Sequence, residues 1–118
     1  MTLTKVNLAE KLAQFTTHWD PHVVADYNDN DIMVVKVLGE FVWHSHPETD
    51  DLFLCLDGAV DIELRDKTVS LTAGEICVVP AGIEHRPVAR GEAHLMLIEP
   101  KGTPNTGDPE TAVHKPQV

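Results

Sequence analysis

The sequence has few basic residues and no long apolar run. Nine lysines and arginines stand against 19 aspartates and glutamates in 118 residues, giving a formal net charge of -10 with the histidines neutral. Nucleic acids and anionic lipid surfaces are bound by basic faces, so this charge argues against both as partners. No apolar stretch approaches the roughly 20 residues that cross a bilayer. The first residues also lack the basic start and apolar stretch of a signal peptide, so we expect a cytoplasmic protein.

Cysteine is equally scarce. The chain has two, Cys55 and Cys77, and they do not form a CxxC pair. Both lie in apolar runs, LFLCL and EICVVP, which predicts two buried, reduced thiols, with a disulfide between them as the alternative. Neither cysteine has a base nearby in sequence, so we propose no nucleophile.

The rest of the composition, 42% apolar and 24% charged, is typical of one globular domain with its own core. We expect residues 1–22 to form an N-terminal helix and connector, and residues 23–100 to form a β-barrel. Residues 101–118 are rich in proline and glycine and nearly free of large apolar side chains, which predicts an extended or partly disordered tail. As an alternative, this tail wraps the barrel or a partner subunit.

A single short helix is predicted from Asn7 to His18. Asn7 is a suitable N-cap, and Glu10 three positions later completes a start that resembles a capping box. An apolar stripe at helical spacing consists of Leu8, Leu12 and Phe15. We expect this stripe to pack against the main body, with a helix that binds a partner as the alternative.

From residue 22 onward the sequence consists of short β-type runs separated by glycine, proline or polar residues. The runs are HVVADY, IMVVKVLG, EFVWHSH, DLFLCLDG, AVDIELRD, KTVSLTAG, EICVVPAG, HRPVAR and EAHLMLIEP. In AVDIELRD the apolar Val60, Ile62 and Leu64 alternate with charged residues, as in a half-buried strand. About nine such runs at close, regular spacing favour an antiparallel sandwich or barrel.

The stretch HSHPETDD concentrates possible metal ligands between His44 and Asp51. In an extended chain, residues i and i+2 point to the same face, so His44 and His46 project together and can share one ion. If the face of the next strand that carries Asp51 is the inward one, this carboxylate reaches the two histidines at the mouth of an apolar cavity. A third histidine, His85, follows the turn PAGIE.

The other carboxylates of this stretch have a simpler interpretation. Asp50 should point away from Asp51, toward solvent, once the strand has begun. Glu48 lies beside Pro47 in a turn and is also expected in solvent or at the rim of the site. A histidine pair alone is more often a surface or core feature than a metal site, so the prediction depends on the added carboxylate and the distant third histidine.

Two segments resemble the two motifs of the cupin superfamily. GEFVWHSHPETDDLFLCLDG, from Gly39 to Gly58, is similar to the first motif: a glycine, an HxH pair, a spaced carboxylate, six residues and a glycine. GEICVVPAGIEH, from Gly74 to His85, is similar to the second. Among cupins the chain resembles the short single-domain proteins often described as mannose-6-phosphate isomerase-like. The resemblance implies an all-β fold, a double-stranded β-helix or jelly-roll barrel, and a homodimer.

The resemblance also implies the ligand set: His44, His46, Asp51 and His85. Three imidazoles and one carboxylate suit a divalent first-row transition metal, namely Fe, Mn, Ni, Zn or Cu, and suit Ca²⁺ or Mg²⁺ poorly. The chain departs from the family at Asp51, where a glutamate is usual. Aspartate is one methylene shorter, so the metal must lie closer to that strand or a water must bridge. Four residues, one fewer than usual, separate Gly39 from His44.

Three functions remain open at this point. The first is a metal-dependent enzyme that acts on a small organic molecule in the barrel by oxygenation, isomerisation or a lyase step. The second is a non-catalytic module that senses or stores a small ligand or a metal. The third is a metal-free site in which histidine and aspartate act as general acid and base.

Overall fold

A computed structural model of the chain describes residues 3–118, and within them one short helix is followed by seven antiparallel strands. The elements are α1 (Leu8–Leu12), β1 (His22–Tyr27), β2 (Asn30–Glu40), β3 (Asp51–Asp57), β4 (Ala59–Leu64), β5 (Thr68–Thr72), β6 (Ile76–Val79) and β7 (His85–Pro100). The predicted fold class is confirmed: the molecule is an all-β jelly-roll barrel with a short N-terminal helix.

The long strand β7 connects the two walls of the barrel. Its first residues pair with β4, from Leu64↔His85 to Asp61↔Val88. Its later residues pair with β3, as in Leu52↔Ile98 and Cys55↔Leu95. Strand β2 runs along the other edge of β7 over nearly its whole length. Because β7 opens with His85, this pairing fixes the place of that side chain at one end of the barrel.

Alternation along the strands places the core inside the barrel. In β3 the burial alternates from Asp51 onward: Asp51, Phe53 and Cys55 are buried, while Leu52 and Leu54 are half-buried on the outer face. The face that carries Asp51 is therefore the inward one. Burying an apolar side chain of this size contributes about 1.5–3 kcal/mol, so the wrong register, which would turn Phe53 outward, is strongly disfavoured.

The turn between β3 and β4 requires glycine. Gly58 has a φ of +78°, and a Cβ built on it would lie 2.9 Å from the carbonyl oxygen of Glu92. This residue is the last glycine of the first motif, and a side chain there would separate β3 from β7.

The helix is shorter than predicted. It begins as expected, with Asn7 Oδ1 accepting a hydrogen bond of 3.0 Å from the Glu10 backbone N–H. It ends at Leu12, whereas the sequence predicted His18. The Phe15 carbonyl accepts from Lys36 Nζ, and the Phe15 ring stacks on the ring of His22 at 3.8 Å. These tertiary contacts hold the segment after Leu12 against the barrel in a non-helical path.

Two of the predicted strands also differ. EFVWHSH is not a strand: after Glu40 the chain leaves the sheet, and His44 forms an isolated bridge with His85. HRPVAR and EAHLMLIEP are one continuous strand, because Gly91 between them lacks a positive φ and does not form a turn. The nine predicted runs therefore yield seven strands among residues 3–118.

The cysteines and the membrane prediction have simple outcomes. Both cysteines are free; Cys55 is buried as predicted, whereas Cys77 is only half-buried because β6 lies at the edge of the sheet. Among the described residues no helix has the length and apolar character needed to span a membrane.

The segment after β7, here called the C-terminal arm (residues 101–118), returns along the barrel. Its last residues lie beside β1, where Val23 N–H donates to the Pro116 carbonyl at 2.8 Å and Val118 N–H donates to the Val23 carbonyl at 3.0 Å. Lys11 Nζ, on the helix, donates to the Val118 carbonyl. The C-terminal end of the arm is thus held against β1 and α1.

Candidate metal centre

The fold brings the four predicted ligands together at one end of the barrel. His44 and His46 lie in the loop between β2 and β3, Asp51 is the first residue of β3, and His85 is the first residue of β7. One ligand atom from each lies within 4.8 Å of the other three, and all four residues are buried. Three separate parts of the chain therefore converge on one point.

Backbone hydrogen bonds hold these segments in place. His44 and His85 exchange two of them, with N···O distances of 3.0 and 2.9 Å. The His46 carbonyl accepts from Gly82 N–H at 2.9 Å, which ties the first histidine pair to the turn before His85. The Asp50 carboxylate accepts from Ala81 N–H at 2.9 Å. Asp50 is exposed as predicted, but it supports the same turn.

Two of the histidines are oriented by backbone carbonyls. His44 Nδ1 lies 2.9 Å from the Val42 carbonyl oxygen, and His85 Nδ1 lies 2.9 Å from the Ile83 carbonyl oxygen. In each case the partner is two residues earlier in the chain. Because a carbonyl only accepts, each Nδ1 carries a proton and directs Nε2 toward the centre, where a metal can bind it in place of a proton. The sequence did not identify these partners, although the i−2 spacing is the same for both.

The Asp51 carboxylate occupies the centre of the cluster. Its Oδ2 lies 2.9 Å from His85 Nε2 and 3.2 Å from His46 Nε2. Among the described residues, His46 Nε2 and Asp51 Oδ1 are the buried side-chain polar atoms without a hydrogen-bond partner. A buried polar atom without a partner costs about 1–3 kcal/mol. Two such atoms within one cluster of metal-ligand side chains fit a bound cation.

The burial of the cluster tunes its protonation. Burial lowers the pKa of His44 from 6.5 to about 4, so this imidazole is neutral at pH 7, as a metal ligand must be. Burial alone would raise the pKa of Asp51, but the imidazoles of His46 and His85 beside it outweigh that effect and lower its pKa to about 2. Burial likewise opposes protonation of His46, yet the Asp51 carboxylate 3.2 Å away raises the pKa of His46 overall. A bound cation would take the place of the proton that Asp51 favours on His46.

An apolar cavity adjoins the cluster. His44 and Asp51 form part of its wall, and the apolar wall includes Phe53, Leu95 and Leu97. The cavity volume is about 40 Å³. Since one water needs roughly 10–15 Å³, the cavity has room for about three water-sized atoms.

Glu99 is a site residue that the sequence reasoning missed. It lines the same cavity and is 4% exposed, and its Oε2 lies 3.4 Å from Lys115 Nζ of the C-terminal arm. Burial and then the nearby Asp51 charge raise the pKa of Glu99 to about 7. The signal was present in the alternation of β7, where Glu99 continues the inward face formed by Ala93, Leu95 and Leu97.

The remaining charged residues near the motifs point elsewhere. Arg86 pairs with Glu63 and Glu40 on the outside of the barrel, at 2.8 and 3.1 Å. Glu84 is exposed and pairs with Arg65, and Glu48 is exposed as predicted.

Comparison with known proteins agrees with this geometry. A family model for the cupin domain matches residues 31–99, more than half of the chain. A solved cupin-2 domain containing protein from Shewanella frigidimarina is 45% identical, with a TM-score of 0.81 and a match covering 81% of this chain and 94% of that one. An uncharacterized Bacillus subtilis protein, YdbB, is 36% identical over 64 residues. That match spans 53% of this chain and 57% of the relative.

A more distant likeness is to hydroquinone 1,2-dioxygenase PnpCD, solved in complex with Cd²⁺ and 4-hydroxybenzonitrile. It is 18% identical, with a TM-score of 0.65 and a match covering 78% of this chain and 70% of that one. At this level of identity the likeness shows a shared fold alone. The matched family model, the solved relative and the convergence of both motifs on one buried cluster lead to one conclusion: the chain belongs to the cupin family.

Proposed function

We propose that this cupin holds a divalent first-row transition metal through His44, His46, Asp51 and His85 and acts as a metal-dependent enzyme on a small organic molecule in the adjoining cavity. The observation that carries the proposal is the pair of buried, partnerless atoms, His46 Nε2 and Asp51 Oδ1. Both belong to a cluster whose ligand atoms lie within 4.8 Å of one another. One cation satisfies both atoms at once.

The donor set narrows the metal to a group of ions. Three imidazole nitrogens and one carboxylate favour Fe, Mn, Ni, Zn or Cu over ions that prefer oxygen alone. Four protein ligands leave further positions of a six-coordinate ion open for water or substrate. The short side chain of Asp51 is already within 3.2 Å of two imidazoles, so aspartate reaches the centre without the extra methylene of glutamate.

The protein's own groups prepare the site for chemistry. The Val42 and Ile83 carbonyls fix the tautomers and ring planes of His44 and His85, and burial keeps His44 neutral. Phe53 and its apolar neighbours exclude bulk water from the cavity. A bound metal of this group supplies Lewis acidity or a place for O₂ activation. Oxygenation, isomerisation and a lyase step are all consistent with that arrangement.

The small size of the cavity supports a second candidate, a binding module that senses or stores a compact ligand. A space for about three water-sized atoms is sufficient for a ligand of that kind and small for most organic substrates. The two candidates share the metal centre and differ in turnover.

Metal analysis of protein purified without chelator tests the shared centre. We expect close to one ion per chain for the wild type and for Glu84→Gln, an exposed carboxylate next to His85, and less than about 0.1 for His46→Ala and His85→Ala. A wild-type content below about 0.1, unrestored by Fe, Mn, Ni or Zn, would refute the metal and favour acid–base chemistry by the His85–Asp51 pair. Turnover of candidate metabolites that disappears in both alanine variants distinguishes the enzyme from the binding module.

We further propose a homodimer. The outer face of β3 and its neighbours β6 and β7 is a continuous apolar surface, formed by Leu52, Leu54, Ile76, Val78, Met96 and Ile98. Ile76 and Val78 are 58% and 51% exposed. An apolar face next to an edge strand favours pairing of like surfaces about a two-fold axis.

Two finer predictions from the sequence stay predictions. A mannose-6-phosphate isomerase-like activity would need a free cation for the phosphate, whereas Lys115 beside the cavity already pairs with Glu99. The second of these predictions is a cytoplasmic location.

A further inference from the structure

The C-terminal arm is part of the cavity, not an appendage. Asn105 of the arm contributes to the cavity wall opposite the barrel strands. Its side-chain oxygen accepts a hydrogen bond of 3.0 Å from Val113 N–H, which closes the arm into a loop at this point. The arm therefore supplies a part of the cavity wall that the barrel strands do not.

Gly107 allows the arm to lie directly against the loop that carries His44 and His46. Its φ is +77°, and a Cβ built on it would overlap the carbonyl oxygen of Ser45 and lie 3.2 Å from the Ser45 carbonyl carbon. Ser45 is the residue between His44 and His46. Glycine is therefore required for the arm to approach the backbone of the histidine pair so closely.

Lys115 makes a second contact between the arm and the barrel, and this contact is electrostatic. Its ammonium group lies 3.4 Å from Glu99 Oε2 and also donates to the Thr103 carbonyl within the arm. Both partners of the ion pair are largely buried, with side-chain exposures of 14% for Lys115 and 5% for Glu99. Removing one partner of such a pair leaves an uncompensated buried charge, which is strongly unfavourable.

The charges around the cavity indicate the charge of the ligand that it would bind. A divalent ion with one aspartate and three neutral histidines has a net charge of +1, and Lys115 offsets the charge of Glu99. The remaining wall is mainly apolar. An anionic oxygen therefore has an attractive partner at the metal, while the cavity, with a volume of about 40 Å³, leaves room for only a few atoms beyond it.

We propose that the C-terminal arm is the specificity-determining wall of the ligand site and restricts it to compact organic anions, with Gly107 and Lys115 as the positioning residues that hold this wall. The inference rests on the proposed metal centre. Gly107 sets the size limit by keeping the arm on the histidine loop, and Lys115 sets the charge by neutralising Glu99.

The full-length protein loaded with Co²⁺ tests the size limit. Acetate and benzoate are titrated against the visible absorption of the cobalt, and the ratio of their dissociation constants is the readout. We expect the wild type to favour acetate by about tenfold or more, and Gly107→Ala to lose about tenfold of that preference. The matched control is Gly102→Ala: Gly102 also lies on the arm at a positive φ of +83°, but its Cβ would meet nothing within 4 Å. It should retain the wild-type ratio.

Lys115 gives a test that does not depend on the fold of the Gly107 variant. At about pH 9, where Glu99 is ionised, Lys115→Met should weaken acetate binding by about tenfold because the Glu99 carboxylate then repels the anion, and Lys115→Arg should recover most of the affinity. An arm that serves only as structural support would not distinguish methionine from arginine in this assay.

Metal-free protein supplies a readout that separates this inference from the proposed function. Modification of His44 and His85 by diethyl pyrocarbonate, followed by mass spectrometry, should be several-fold faster in Gly107→Ala than in the wild type or Gly102→Ala. If Co²⁺ fails to bind but this difference is present, the metal centre is refuted and the arm remains a wall of the cavity. If Co²⁺ binds and the two glycine variants behave alike in both assays, the inference is overturned and the metal centre stands.

Discussion

Acid should destabilise the metal-free protein through His44, by an amount that follows from the burial of this side chain. His44 is 8% exposed, and burial lowers its pKa from 6.5 to about 4. In the unfolded chain the His44 imidazole takes up a proton near pH 6.5, whereas in the folded protein it does so only near pH 4. The neutral imidazole therefore contributes stability that is complete above pH 6.5 and is lost as the pH falls toward 4. At roughly 1.36 kcal/mol per pH unit, the loss is about 3 kcal/mol.

Glu99 opposes this loss in the wild type. Burial and the neighbouring Asp51 charge raise the pKa of Glu99 from 4.5 to about 7. Its protonated form therefore contributes stability that is complete below pH 4.5 and is lost as the pH rises through 7. By the same conversion this effect is also about 3 kcal/mol, with the opposite sign. The free energy of unfolding of the wild type should therefore change little between pH 7 and pH 4.5 on account of these two groups.

Comparison of Glu99→Gln with the double variant Glu99→Gln/His44→Gln isolates the contribution of His44 to the free energy of unfolding. Guanidinium unfolding with a chelator present, at a series of pH values from 7 to 4, gives the free energy of unfolding of each. Between these limits the single variant should lose about 3 kcal/mol more than the double variant. All other titrating groups are common to both and cancel in the difference. If the difference in free energy of unfolding between the two variants changes by less than about 1 kcal/mol over this pH range, the assignment of a buried, neutral His44 is refuted.

Three further predictions concern the core, the thiols and the outer face. Phe53→Ala should lower the free energy of unfolding by about 3–5 kcal/mol, measured with guanidinium, because it empties part of the core and of the cavity wall; a loss below about 1 kcal/mol would contradict the inward face of β3. Ellman's reagent should label Cys77 in the folded protein and Cys55 only after unfolding, because Cys77 is half-buried and Cys55 is buried. Val78→Lys should convert a dimer into a monomer in sedimentation velocity runs, and a wild type that sediments as a single 13.0 kDa chain would remove the proposed pairing.

The clustering of the four side chains was predictable from the spacing within the two motifs and from local geometry. In an extended chain the i, i+2 histidines share a side, and alternation in β3 places Asp51 with Phe53 on one face. Even so, the segment with His44 and His46 is not a strand. The two histidines converge because His44 is bridged to His85 and His46 is tied to Gly82. The predicted clustering of these side chains is therefore present although the strand from which it was argued does not form.

The helix shows the limit of local patterns. Its start was predictable because an N-cap is a contact within three residues, and Asn7 makes it. Its end was not, because Phe15 is held by Lys36 and His22, which lie on the strands β2 and β1. No periodicity within residues 7–18 carries information about those contacts.

The sequence by itself determined most of the strands, the alternation of their two faces and the identity of the four clustered side chains, since each depends on a period of two or on a motif of fixed spacing. Only the tertiary structure decided how the site is completed. Glu99 becomes a cavity residue because β7 runs beside β3, and the arm closes on Ser45 and Glu99 through Gly107 and Lys115. These contacts join residues far apart in the chain, and their energies come from exclusion of water and burial of charge, which exist only once the barrel has formed.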